Sequence, residues 1–147
     1  MTRKNTGFTL VEILIVVIIL GILAAIVIPQ FTEASNDARY SALVSDLHTV
    51  RGQLELYKLQ HLDVYPDANT FITQLTSRTN NAGTVGTDPD TYPFGPYLQK
   101  FPTNPFASAN QALVETGATQ RADGDPGWFF NTDTGMFYAN TADHTSE

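Results

Sequence analysis

Residues able to do chemistry are few in this chain and widely spaced. His48, His61 and His144 fall at three separate places. No HExxH, GxSxG, P-loop or GxGxxG string occurs, so nothing assembles a metalloprotease, a serine hydrolase or a nucleotide site. There is no cysteine, which excludes thiol chemistry and a thiolate metal site. Asp123-Gly124-Asp125, followed by Pro126-Gly127, alternates carboxylates with glycine, a pattern that can hold calcium through oxygen ligands. Two aspartates are too few ligands without help from the backbone. An ordinary turn ahead of a strand is therefore the stronger reading, with calcium as the alternative. The most unusual residue is Glu12, a carboxylate near the start of a long apolar run. A charge there is expensive in hydrocarbon unless it finds a partner. No convergent set of reactive groups supports an enzyme.

The element that must position Glu12 is the run itself. Arg3 and Lys4 precede it, and Leu10 to Ile28 is almost wholly apolar. As a helix the run spans roughly 28 Å at about 1.5 Å per residue, close to the hydrocarbon core of a bilayer. Cations ahead of the span keep that end in the cytoplasm. A secretory signal peptide would place a small-residue cleavage site after a shorter apolar region. Here Ala24-Ala25 lie inside the run. A plain signal-anchor helix explains length and orientation but not the carboxylate. The rest of the 147 residues is polar and suffices for one domain. Formal charge is −7, with eight basic and fifteen acidic residues; removing Arg3 and Lys4 leaves six basic, or −9. An acidic body argues against nucleic-acid binding, which needs a cationic face.

Gly7-Phe8-Thr9-Leu10-Val11-Glu12, with Lys4 just upstream, closely resembles the processing motif of type IV prepilins and pseudopilins. The resemblance implies an α+β, type IV pilin-like fold: a long N-terminal helix, half in the membrane and half amphipathic, packed on a small C-terminal antiparallel β-sheet. It also implies that a prepilin peptidase cuts between Gly7 and Phe8, that Phe8 is N-methylated, and that Glu12 serves assembly. A new ammonium at Phe8 suits the Glu12 carboxylate of a neighbouring subunit in a low-dielectric bundle. In the unassembled chain Glu12 is expected to have no fixed partner. Gly21 and Pro29 stand where the family has a glycine and a proline, and the stretch between them can lose helicity on assembly. A mild kink without a mechanical role is the plainer alternative for either residue.

Beyond Pro29 the pattern becomes amphipathic. Leu43, Leu47, Val50, Leu54 and Tyr57 recur at alternating spacings of four and three, one stripe on a helix. Asp37, Arg39, Asp46, Arg51, Glu55 and Lys58 mostly lie off it. One helix is therefore expected from Phe8 to about Gln60, with Tyr65-Pro66 closing the pattern. The organisation that follows is a leader over 1–7, a membrane or filament-core helix over 8–29, its amphipathic half over 30–62, and a loop-rich β domain over 63–147. Phe71–Ser77 reads as a short helix capped by Asp67 or Asn69. Asn80–Asp90 reads as a flexible polar loop. The segment from Gly95 to Phe106 (GPYLQKFPTNPF) resembles the proline-rich loop of major pseudopilins of type II secretion, which packs between helix and sheet. Gln111–Thr116 alternates weakly. Trp128–Phe130 and Met136–Tyr138 flank Asn131–Gly135 as a hairpin, so three short antiparallel strands are expected on the helix.

The resemblance, closest to the major pseudopilin, implies a structural subunit of a pseudopilus that assembles from the bacterial inner membrane and supports type II protein secretion. Its partners would be further copies of itself, minor pilins, the prepilin peptidase, an assembly-platform membrane protein and the lipid bilayer. The N-terminus would be cytoplasmic and the globular domain periplasmic. Two alternatives stay open: a type IV pilus subunit for adhesion, motility or DNA uptake, and a monomeric membrane-anchored binding module.

Overall fold

The structure, a computed structural model, describes residues 7–120 and 126–141. Its contacts divide into two compact units, one ending at Ala38 and the other covering Arg39–Glu147. Helix α1, Leu10–Gln60, runs through both and takes up Pro29 without interruption. Proline has no N–H to donate, so the Ala25 carbonyl lacks its usual intrahelical partner. The apolar side chains ahead of Pro29 are exposed on every side of the helix, from Val16 and Ile19 at 51% to Leu10 at 82%. By length and composition this helix can cross a membrane.

In the second unit the helix buries one stripe. Leu43, Leu47, Val50, Leu54 and Tyr57 are each at most 2% exposed, and each such side chain stabilises the fold by about 1.5–3 kcal/mol through its area. At the helix end the Asp63 N–H donates to the Lys58 carbonyl (3.0 Å). Leu62 and Asp63 both take left-handed backbone, with φ of 57° and 63°. This is the Schellman type of ending, a position that favours glycine. An L-residue there costs roughly 1–2 kcal/mol.

Against the stripe lie helix α2, Phe71–Thr76, and two small sheets. α2 has Thr70 at its N-cap with no side-chain cap. Asp67 instead accepts from the Asn69 N–H (2.9 Å) in the turn before it, so neither expected cap is made. Strands β1, Arg78–Thr79, and β2, Val85–Gly86, pair antiparallel. The expected flexible loop over Asn80–Asp90 thus contains a strand. The Asn80 side-chain oxygen organises the turn by accepting from the Ala82 and Thr84 N–H groups (3.1 and 2.9 Å). Gly83 completes it at a φ of 74°, where a Cβ would come within 2.8 Å of both Gln74 Nε2 and the Tyr57 hydroxyl.

The second sheet contains β3 (Val114–Gly117), β4 (Trp128–Asn131) and β5 (Phe137–Ala139), in that order. β4 and β5 form the expected antiparallel hairpin, with Phe129 opposite Tyr138. β3 runs parallel to β4, Val114 beside Trp128, so the sheet is mixed and not all antiparallel. The reason lies at the shared starting end of the two strands. The buried Asn104 accepts at Oδ1 from the Phe106 N–H and donates through Nδ2 to the Gly127 carbonyl (2.7 Å), while its own N–H donates to the Gln111 carbonyl. The Gly127 N–H donates to the Asn110 carbonyl (3.2 Å) and the Trp128 N–H to the Leu113 carbonyl (3.1 Å). Both strands are therefore entered from one end.

The segment carrying Tyr97 and Leu98 is anchored between helix and sheet, in agreement with its expected place. The N–H groups of both residues donate to the Leu75 carbonyl, and the Tyr97 hydroxyl donates to Gln60 Oε1 (2.6 Å). Tyr97 meets Tyr57 edge-on, Phe101 meets Phe71 and Phe137 edge-on, and Trp128 Nε1 donates to the Pro102 carbonyl (3.0 Å). The fold is α+β: one long helix, a short one, and small sheets packed on the amphipathic half.

Candidate functional site

The start of α1 brings Thr9 and Glu12 together. The Thr9 N–H and hydroxyl both donate to Glu12 Oε2 (2.7 and 2.8 Å), and the Glu12 N–H donates to the Thr9 hydroxyl oxygen (3.3 Å). This is a reciprocal capping box, in which Thr and Glu three residues apart satisfy helix N–H groups that have no carbonyl partner. The expectation that Glu12 lacks a fixed partner in the unassembled chain is thereby corrected. The signal is legible in the sequence as Thr9-x-x-Glu12, a Thr and a Glu three residues apart at a helix start. Thr9, not Phe8, is the first residue held by the helix. Gly7 and Phe8 lie ahead of it, exposed, with Phe8 at 83% and open space around Gly7 where a Cβ would sit. The peptide bond between them is accessible in this arrangement.

Gly21 lies inside the helix, and a Cβ there would meet nothing within 4 Å. Packing within the chain does not require glycine at this position, so any requirement comes from outside the molecule. Small residues let neighbouring membrane helices approach closely. The stretch from Gly21 to Pro29 is helical throughout.

The other reactive residues are not brought together. His48 is exposed on α1. His61 is buried and stacked on Tyr57 at a centroid distance of 3.7 Å. Its Nδ1 donates to the Tyr57 carbonyl (2.8 Å), and Nε2 lies 3.0 Å from the Thr79 hydroxyl. Its place in the core was not foreseen, because it is set by β1, which the sequence pattern did not reveal. Tyr57 is pushed up to about 12 by burial, with Tyr97 and Asp67 adding to the shift. Asp46, part-buried on α1, is also raised by burial. Among the described residues no cluster of three His, Asp or Glu could hold a metal ion. Asp123, Asp125 and His144 lie outside the described residues, so the calcium expectation rests on them and no step is derived through it.

Two family models match the chain, one after the other. Residues 2–28 match the prokaryotic N-terminal methylation motif, and residues 30–123 match type II secretion system protein G. The chain is similar to the type II secretion system core protein G of Vibrio cholerae, with 34% identity over 76% of this chain and 72% of that protein. It is similar to the core protein G of Pseudomonas aeruginosa at 33% identity, over 76% of this chain and 75% of that one. The corresponding protein of Dickeya chrysanthemi is 32% identical over 84% and 76%. No solved structure matches the chain. An exposed apolar helix with its methylation motif, continued into an amphipathic half under a proline-anchored loop and a small sheet, is thus accounted for along most of its length: the chain belongs to the type II secretion system protein G family.

Proposed function

We propose that this chain is a structural subunit of the type II secretion pseudopilus. It is held in the inner membrane by Leu10–Ile28 until it enters a filament of its own copies. The observation that carries this reading is the direct succession of the methylation motif and the protein G family match, on a helix whose apolar first half has no residue buried within the chain. Such a surface needs lipid before assembly and neighbouring helices afterwards. The role is mechanical, not catalytic. Prepilin peptidase removes Met1–Gly7, Phe8 becomes the methylated N-terminus, and the Glu12 carboxylate moves from its own Thr9 to the Phe8 ammonium of a neighbour. The globular unit faces the periplasm. Minor pilins and an assembly-platform protein are its further partners.

Deleting the gene in its native host, with intact-mass measurement of the restored protein, tests this reading. Secretion of exported enzymes is expected to stop on deletion. The restored protein is expected to lack Met1–Gly7 and to carry one added methyl group. Gly7 replaced by a bulky residue should keep the leader, because cleavage needs space beside the scissile bond. Continued secretion without the gene, together with a loss of twitching or DNA uptake, would move the chain to a type IV pilus.

A further inference from the structure

The end of α1 exposes an apolar patch whose central residue sits in strained backbone. Leu62 occupies a left-handed position with φ of 57°, where glycine would be cheaper, yet its side chain is 80% exposed. Leu59 at 77% and Val64 at 61% extend it into an apolar patch around the helix end. Asp63 is a carboxylate at the negative end of the helix dipole, where a cation is favoured. Lys58 in the last turn lies 4.9 Å from the centre of the Tyr65 ring and 3.4 Å from its hydroxyl, and it also feels the Asp63 carboxylate. A bulky apolar residue that is both strained and exposed, as Leu62 is, points to a contact outside the chain.

The same helix carries the complement at the other end of the second unit. Arg39, the first residue of that unit, is exposed, and Tyr40 beside it is 41% exposed. A cation with an aromatic ring matches an apolar patch with a carboxylate. Along the helix the two ends lie roughly 30 Å apart at about 1.5 Å per residue, so they cannot meet within one copy. Complementary patches at opposite ends of one element make a head-to-tail contact. Such a contact builds an open helical array wherever its rotation does not close into a ring. We propose that Leu62 and Asp63 form the docking site for Arg39 of a second copy of this chain, which stacks the globular units lengthwise. The proposal rests on the filament reading above and names the surface that this reading leaves unassigned.

The test uses the full chain expressed with its secretion machinery, and the absence of cysteine makes it clean. Arg39→Cys and Leu62→Cys combined should give a ladder of covalent multimers in sheared filaments, and neither single variant should. Leu62→Gly should leave the thermal midpoint of the detergent-solubilised chain unchanged or higher, since strain is relieved. Filament yield should fall roughly tenfold, about the factor that burial of one leucine supplies. Filaments of the double-cysteine chain without a ladder would overturn the contact. A fall in thermal midpoint that accompanies the loss of yield would overturn it too, because Leu62 would then serve the fold of one copy. If the unmodified chain forms no filaments at all, the filament reading itself fails, and this inference fails with it.

Discussion

At the scale of single residues, Glu12 has two duties that a single substitution would confuse. It caps its own helix through Thr9, and in the proposed filament it pairs with the ammonium of a neighbour. Glu12→Ala removes both. Glu12→Gln keeps the capping box, which accepts glutamine at the same position, but removes the charge. Membrane insertion and leader cleavage are expected to survive in both variants, because neither step needs the carboxylate charge and either change makes the span more apolar. Filament formation is expected to fail in both, as seen in sheared-pilus fractions. If Glu12→Gln assembles like the unmodified chain while Glu12→Ala does not, capping is the function of this residue and the charge pair does not exist. Tyr57 offers a measurement at the same scale. Its folded value, about 12, stands above the ordinary 10 because burial disfavours the phenolate. The folded chain therefore holds a proton that the unfolded chain has lost. The contribution is complete below pH 10 and declines as pH rises from 10 to about 12. Unfolding midpoints measured across that window should fall, and Tyr57→Phe should flatten the slope attributable to this group.

At the scale of elements, the mixed sheet depends on one side chain more than on strand propensity. Asn104 is fully buried and links the proline-rich segment to the starts of both β3 and β4. Asn104→Ala removes both of these hydrogen bonds, while the Gly127 carbonyl still accepts from the Asn140 N–H (3.0 Å). Losing two net hydrogen bonds costs about 1–3 kcal/mol together. Chemical denaturation should register a loss of that size, and amide exchange should rise first in β3, which pairs on one side with β4 alone. Exchange that rises uniformly through α1 and the sheet would show that Asn104 supports the core as a whole and not the parallel pairing.

At the scale of the whole molecule, the two units answer to different solvents. The first exposes apolar side chains along its whole apolar run, stable only among lipids or other helices. The second packs its aromatic residues, with Phe71, Phe101, Trp128, Phe130 and Phe137 gathered over the helix stripe. It is acidic, with six basic against twelve acidic residues from Arg39 onward. Copies with that charge repel at long range, so assembly depends on short-range contacts placed at particular residues. The Leu62–Arg39 contact is one such placement.

What the sequence by itself determined is whatever depends on local period and composition. The apolar run, the stripe from Leu43 to Tyr57, the end of α1 at Gln60 and the hairpin of β4 and β5 were all legible. A helical repeat or a pair of aromatic strands around a turn is written in neighbouring residues. The same is true of Thr9 and Glu12, whose spacing alone makes the capping box. Only the tertiary structure decided the parallel entry of β3, the hidden strand at Val85–Gly86 and the burial of His61. Two are set by a partner far along the chain, Gly127 for Asn104 and Thr79 for His61, and the third by the pairing of two-residue strands at Thr79 and Val85. Pairings of two residues between elements leave no periodic trace. Packing energy gained across the fold chose them over the weak preferences of the segments involved.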